Sequence, residues 1–365
     1  STLRHTLFPY TTLFRSNALK LLNEKGEFLN KREGEEVLHI AEHEHVIYSE
    51  VEDLGRETVR TDYLDHHIRK ILELPQVDVQ AISSAGFRVA VDGINSVGGI
   101  AIPRLLEALG VEQVIRVHCE PTGDFAHNPE PLPDHLSDLR EAIIQHKADV
   151  GFVVDPDVDR LAIVNEDGSM FGEEYTLVAV ADYILQHQTG NTVSNLSSTK
   201  ALKELTERHG GSYYPSAVGE VNVVEMMKEK QAVIGGEGNG GVILPALHYG
   251  RDALVGVALF LSHLALSGKS CSGLRSRYPT YHISKNKIQL TPDIDVDNIL
   301  ERLKQEFQDY PINDIDGVKI HLEEGWVHLR KSNTEPIIRV YSEAGDASSA
   351  EGLAQRIIRA TDQIT

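Results

Sequence analysis

Three carboxylates stand at alternate positions in Asp155-Pro156-Asp157-Val158-Asp159-Arg160, between two apolar runs, Val150–Val154 and Leu161–Val164. Carboxylates gathered in an apolar strand–loop–strand setting are costly unless something positive sits between them. A hard divalent cation held by oxygen ligands meets that need, and Mg²⁺ keeps open positions for a phosphate or water. The calcium loop of an EF-hand is a rival pattern, because Glu166 falls at its twelfth position. That loop needs Gly at position six and flanking helices, whereas Arg160 holds position six here between two strands. A solvated acidic turn is the bland alternative.

A second cluster, Arg330-Lys331-Ser332-Asn333-Thr334-Glu335-Pro336 with Arg339 beyond it, puts cations, hydroxyls and an amide on one loop between strands. Guanidinium grips phosphate bidentately, so the loop suits a phosphate cradle; an ordinary polar hairpin is the competing reading. The third cluster is Gly235-Gly236-Glu237-Gly238-Asn239-Gly240-Gly241. Glu237 and Asn239 can hydrogen-bond sugar hydroxyls while the glycines allow close approach, although a tight turn explains the run about as well. It is neither a Walker A loop nor a dinucleotide fingerprint.

The elements that position these clusters repeat. Phe87–Asp92 (strand), Ile100–Leu109 (helix), Gln113–Val117 (strand) and Leu136–His146 (helix) lead to Val150–Val154, the acidic loop and Leu161–Val164. Asn191–Asn195, Lys200–His209, Gly211–Pro215 and Val221–Lys230 lead in the same order to Ala232–Ile234, the glycine loop and Val242–Leu244. The offset of roughly 80 residues predicts duplicated α/β domains. After a Ser- and Gly-rich stretch, Lys269–Thr280, expected as a linker, the pattern changes to an α+β layout. It runs through strands Lys287–Leu290, Val318–Leu322, Trp326–Leu329 and Ile337–Ser342, and helices Val296–Phe307 and Ser348–Ile364. Upstream, helical spacing covers Gly34–His43 and Arg56–Leu74, too few strands for a sheet. Residues 1–16 read unlike the rest of the chain.

With 365 residues, 41% hydrophobic and 25% charged, the chain is globular and multidomain. Its formal charge of −20 argues against a nucleic-acid partner. Ala253–Leu266, the most apolar stretch, is too short for a membrane span. Cys119 and Cys271 build no disulfide framework, so a reducing cytoplasm is expected.

These three motifs, in this order and at these distances, resemble the α-D-phosphohexomutase superfamily of phosphoglucomutases, phosphomannomutases and phosphoglucosamine mutases. The resemblance covers essentially everything from Asn17 onward. It implies an α/β fold with repeated three-layer α/β domains around a central cleft and a C-terminal α+β domain resembling the TATA-binding-protein fold. By resemblance the domains run 17–78 (a remnant of the first), 79–172 with the metal loop, 173–280 with the sugar loop and 281–365 with the phosphate loop, after a foreign leader over 1–16.

The resemblance also implies roles. Asp155, Asp157 and Asp159 hold Mg²⁺ with Arg160 beside it. Val218, Gly219, Glu237 and Asn239 contact the sugar, although many relatives carry Ser at the Asn239 position and His at the Gly241 position. Arg330, Ser332, Asn333, Thr334 and Arg339 bind phosphate. The implied reaction moves phosphate between O1 and O6 of a hexose through a hexose 1,6-bisphosphate intermediate, with a phosphoserine as carrier and Lys20 assisting proton transfer or charge balance. Asn17-Ala18-Leu19-Lys20 resembles the Asn-Gly-x-Lys segment that follows the phosphoserine loop, but residues 1–16 replace that loop. The first domain is therefore expected to be truncated, and this chain inactive. Glucosamine phosphate is the leading substrate, because the run from Asn17 resembles bacterial sequences of that group. Glucose or mannose phosphate follows, and a non-catalytic phosphosugar-binding protein is the alternative of a different class. Oligomeric state stays open.

Overall fold

A computed structural model of the chain describes residues 20–43, 47–130, 133–290, 295–332 and 336–364. The leader, Asn17–Leu19 and the site candidates Asn333 and Thr334 lie outside the described residues. The chain divides into two units, Ser1–Thr58 and Val59–Thr365.

In the first unit, Leu22 bridges Phe28 in antiparallel fashion across a turn, and the Lys20 ammonium stands 5.7 Å from the Phe28 ring centroid. The helix expected from Gly34 begins earlier and spans Lys31–Glu42. Asn30 and Glu33 close a capping box there, satisfying two of the first turn's orphan amides reciprocally. None of this helix is buried.

The second unit opens on a helix over Tyr63–Leu72, seven residues after the expected start at Arg56. β-Branched Thr58, Val59 and Thr61 resist helix, and the apolar face that seats it begins only with Leu64, Ile68 and Ile71. Two four-stranded sheets then repeat one topology. Strands β1 (Arg88–Asp92), β2 (Gln113–Val117), β3 (Val150–Val154) and β4 (Leu161–Asn165) lie in the order β2-β1-β3-β4. Strands β5 (Asn191–Asn195), β6 (Tyr213–Ser216), β7 (Ala232–Glu237) and β8 (Gly241–Ile243) lie as β6-β5-β7-β8. In each sheet three strands are parallel and the last is an antiparallel hairpin partner. The expected repeat is thus present strand for strand, with each special loop in the hairpin.

Two helices without an exposed stripe fill the core of this unit. Ala253–Ser267 is buried from Ala253 to Leu264, and Glu173–His187 from Tyr175 to Leu185. Helices apolar all round are stable only when enclosed. Phe260 of the first packs edge-on against Phe152 and Phe171, at 6.0 and 5.1 Å between ring centroids. The stretch expected as a linker is folded instead: Cys271–Arg275 is helical, and Cys271, Leu274 and Tyr278 join this core.

The last sheet is antiparallel, β10-β11-β12-β13-β9, with β9 His282–Gln289, β10 Ile312–Asn313, β11 Val318–His321, β12 Gly325–Lys331 and β13 Ile337–Ala344. Period-2 alternation divides its faces. Val327, Leu329, Ile338 and Val340 pack under helices Val296–Glu306 and Ala347–Ile364. His328, Arg330, Arg339 and Tyr341 alternate with them and occupy the other face. Among the described residues, no helix is long and apolar enough to cross a membrane.

Candidate active site

The acidic loop joins β3 to β4. Val158 sits within it at φ 62, a left-handed conformation that a β-branched residue adopts only when its surroundings force it. Three hydrogen bonds supply that force. The Val158 amide donates to the Asp155 carbonyl at 3.1 Å, and the Ala253 amide at the head of the central helix donates to the Val158 carbonyl at 3.1 Å. The Ser96 hydroxyl holds the Pro156 carbonyl at 2.8 Å. The Asp155 carboxylate also accepts the Asp159 and Arg160 amides, both at 3.0 Å.

As a result Asp155, Asp157 and Asp159 each offer a carboxylate oxygen, all within 4.8 Å of one another; Asp157 is exposed and the other two are buried. Burial, and then the neighbouring Asp159 charge, push the Asp155 carboxyl up to about 7. Three carboxylate oxygens gathered this closely are the setting in which a hard cation is favoured, so the residues present fit Mg²⁺.

The acidic loop is stitched to the glycine loop. Arg160 forms a β-bridge with Gly241, and the Leu161 amide donates to the Gly240 carbonyl at 3.0 Å. Gly240 has φ +88, and a Cβ there would lie 2.4 Å from the Leu161 carbonyl oxygen. At Gly238 a Cβ would collide with the Glu174 carboxylate. Expected to admit the sugar, these glycines are required at least as strongly by the chain packed behind them.

Glu237, 5% exposed, accepts hydrogen bonds from Asn195 at 2.8 Å and from the Gly219 amide at 3.3 Å. Both fall on Oε1, whereas Oε2 accepts a single bond, from Arg251 at 2.7 Å, and keeps a further lone pair for a hydroxyl. The sequence reading missed the group that neutralises this region. Arg251 pairs with Asp159 at 2.6 Å, Glu237 at 2.7 Å and Glu220 at 3.0 Å, bridging both loops with one guanidinium. Burial opposes its charge, but the three carboxylates outweigh burial and raise its pKa.

On the last sheet, Arg330 lies directly opposite Arg339, and Arg339 opposite Lys287. Like charges placed directly across strands repel, so an anion beside this row would relieve it. The Arg330 Nε is buried without a hydrogen-bond partner among the described residues. Ser332 is buried at the end of the strand, its amide donating to the Ile337 carbonyl at 3.0 Å.

A cavity of about 260 Å³ collects these parts. Arg160, Val218, Glu237, Asn239, Arg330 and Arg339, all expected, line it together. Glu130, Glu173, Glu174, Lys285 and Tyr341 line it too and were not anticipated. The Lys285 ammonium pairs with Glu173, and burial pushes the Glu174 carboxyl well above the usual range. Lys20 belongs to the first unit. A His-Asn-Pro run does occur, at His127–Pro129, but Ala126 precedes it, and the His127 imidazole pairs with buried Asp92 at 3.1 Å.

The sequence matches three family models in succession: "Phosphoglucomutase/phosphomannomutase, alpha/beta/alpha domain II" over residues 62–168, "alpha/beta/alpha domain III" over 172–281 and "C-terminal domain" over 288–360. It is 33% identical to a phosphoglucomutase/phosphomannomutase of Thermococcus kodakarensis, across 92% of this chain and 73% of that protein. It is 29% identical to a probable phosphoglucosamine mutase of Methanopyrus kandleri, across 94% and 75%. The chain thus spans about three quarters of the length of these relatives. Its fold superposes on the crystal structure of a putative phosphomannomutase from Thermus thermophilus with a TM-score of 0.74 at 23% identity, covering 93% of this chain and 73% of that one. Three consecutive domain matches and a relative above 30% identity place the repeated sheets, the hairpin loops and the cationic C-terminal sheet in one lineage, and the chain belongs to the α-D-phosphohexomutase superfamily.

Proposed function

We propose that the cleft binds a hexose phosphate and serves intramolecular phosphotransfer between O1 and O6 of the sugar through a hexose 1,6-bisphosphate, with glucosamine 6-phosphate to glucosamine 1-phosphate as the leading reaction. The observation that carries this reading is that Arg330 and Arg339, like charges directly opposed on neighbouring strands, line one cavity with Lys285, Glu237 and Arg160. Arg330 and Arg339, with Ser332, Asn333 and Thr334, hold the non-reacting phosphate. Glu237 and Asn239, with Val218 and Gly219, read the sugar hydroxyls in either orientation, so both ends of the bisphosphate can be presented in turn. Asp155, Asp157 and Asp159 would hold Mg²⁺. When bound, the ion supplies positive charge to the phosphoryl group in transit, where positioning and charge neutralisation provide most of the catalysis. Arg160 keeps its guanidinium beside the same carboxylates, 3.5 Å from Asp155 and 3.7 Å from Asp159.

No Ser-His-Asn-Pro run stands in the 365 residues. We infer that this polypeptide on its own binds phosphosugar without turning it over, since losing a covalent nucleophile can cost on the order of 10⁶ in rate. Calorimetric titration with glucosamine, glucose and mannose 6-phosphates, with Mg²⁺ present, tests the binding. Mutase assays beside a version given a complete first-domain segment test the chemistry. Absence of phosphosugar binding refutes the site. Equal turnover by the two proteins refutes the missing nucleophile, and preference for another hexose reassigns the substrate.

A further inference from the structure

We propose a second metal site in the Val59–Thr365 unit, formed by His67, His248 and Asp252 and suited to a borderline divalent transition cation such as Zn²⁺. Three separate elements converge there. His67 lies on the Tyr63–Leu72 helix, His248 in the turn after β8, and Asp252 at the N-cap of the Ala253–Ser267 helix. The Nε2 atoms of His67 and His248 lie 2.7 and 3.1 Å from the same Asp252 oxygen, Oδ2, and all three donor atoms fall within 4.8 Å of one another.

The carboxylate is held for this purpose. Its other oxygen, Oδ1, accepts the Leu254 and Val255 amides at 2.8 and 3.2 Å, which turns Oδ2 toward the imidazoles. Burial works against its charge, but hydrogen bonds from His248 and His67 outweigh it and keep the group ionised far into acid. Metal ligands fixed by outer hydrogen bonds in this way are preorganised for binding. The two imidazoles keep 32% and 40% side-chain exposure, which leaves one side open for the cation to arrive and for water to complete its shell.

Donor chemistry separates this site from the acidic loop. Two imidazole nitrogens with one carboxylate suit Zn²⁺ and its neighbours, typically with three protein ligands and an open fourth position, whereas Mg²⁺ prefers oxygen alone. Bonds of about 2.0–2.1 Å in a tetrahedron set donor atoms about 3.4 Å apart, so His67 need draw back from Oδ2 by about 0.7 Å and His248 by about 0.3 Å. On binding, each neutral imidazole carries its proton on Nδ1 instead of Nε2, and any imidazolium proton is released, so acid weakens the site. The cation would staple the Tyr63–Leu72 helix to the turn carrying Arg251, the neighbour of Asp252 that holds Asp159 and Glu237.

The test titrates the 365-residue chain with Co²⁺, read by its visible d–d absorption, and with Zn²⁺ by calorimetry, both in excess Mg²⁺. One tight equivalent with a tetrahedral Co²⁺ spectrum is expected. His67→Gln and His248→Gln, both at partly exposed positions, should each weaken it by at least about 100-fold with circular dichroism unchanged. Asp157→Asn should leave it intact. Absence of the tetrahedral spectrum, tight binding that survives both histidine variants, or its loss in Asp157→Asn overturns the proposal.

Discussion

Replacing Arg251 by Met should be among the most damaging single changes in this protein, and in a way its partners can reveal. The guanidinium is 10% exposed and faces three carboxylates that are themselves 6–12% exposed. Removing one partner of a buried ion pair leaves an uncompensated charge and typically costs about 3–5 kcal/mol. Here three carboxylates lose their shared cation, so the upper half of that range is expected. For a unit of this size each kcal/mol lowers Tm by about 2 °C, which puts the shift near 8–10 °C.

Thermal melts followed by circular dichroism measure the shift. Two further readings separate electrostatics from lost packing. First, Mg²⁺ should restore more stability to Arg251→Met than to the parent, because Asp159 has lost its other cation. Second, Glu220→Gln should destabilise the parent, where Glu220 pairs with Arg251, yet stabilise Arg251→Met by removing an unpaired charge. The Gln carbonyl can still accept the Arg251-position amide, which the Glu220 side chain holds at 3.0 Å. A loss below about 1 kcal/mol, or the same sign for Glu220→Gln in both backgrounds, refutes this reasoning.

Other perturbations probe each loop separately. Asp157→Asn removes one of three crowded carboxylates and should weaken Mg²⁺ binding severely; unchanged affinity by calorimetry removes the metal assignment. Arg330→Ala takes away charge-assisted bonds worth roughly 1.5–3 kcal/mol, so phosphosugar affinity should fall by about one to two orders of magnitude. Gly240→Ala combines a left-handed backbone with a contact on the Leu161 carbonyl, and a loss of at least about 2 kcal/mol in urea unfolding is expected. His328 accepts the Ser197 hydroxyl at 3.0 Å and donates to the Asp316 carbonyl at 2.7 Å, and burial holds its pKa down to about 4. The unfolded chain therefore binds the extra proton between pH 6.5 and 4. About 3 kcal/mol present above pH 6.5 should fade as pH falls through that window, and His328→Gln should flatten this part of the profile.

What could be read from the residues alone depended on how far each feature reaches along the chain. Asp155, Asp157 and Asp159 were readable because their spacing is local, and β2, β3 and β5 because a short apolar or β-branched run between turns admits few other readings. The Glu173–His187 helix was not assigned: buried from Tyr175 to Leu185, it shows no amphipathic period. Arg251 was invisible for a different reason. Its carboxylate partners lie 14, 31 and 92 residues away, so no window of sequence contains the cluster. The row Lys287–Arg339–Arg330 is subtler still, because Arg339 meets Lys287 only through the pairing of β13 with β9, the edge strand that precedes the other four in the chain. A one-residue slip of β9 would turn Lys285 and Lys287 to the apolar face and break the row. The phosphate recognition proposed for this sheet would therefore be a property of register. Substitutions that shift β9 without touching Arg330 or Arg339 should weaken phosphosugar binding as an arginine replacement does, and a Pro in place of Ile288, whose neighbour across the ladder is Ile338, is the change that would do it. Retained affinity in a folded Ile288→Pro protein would mean that the two arginines suffice and the edge strand is dispensable.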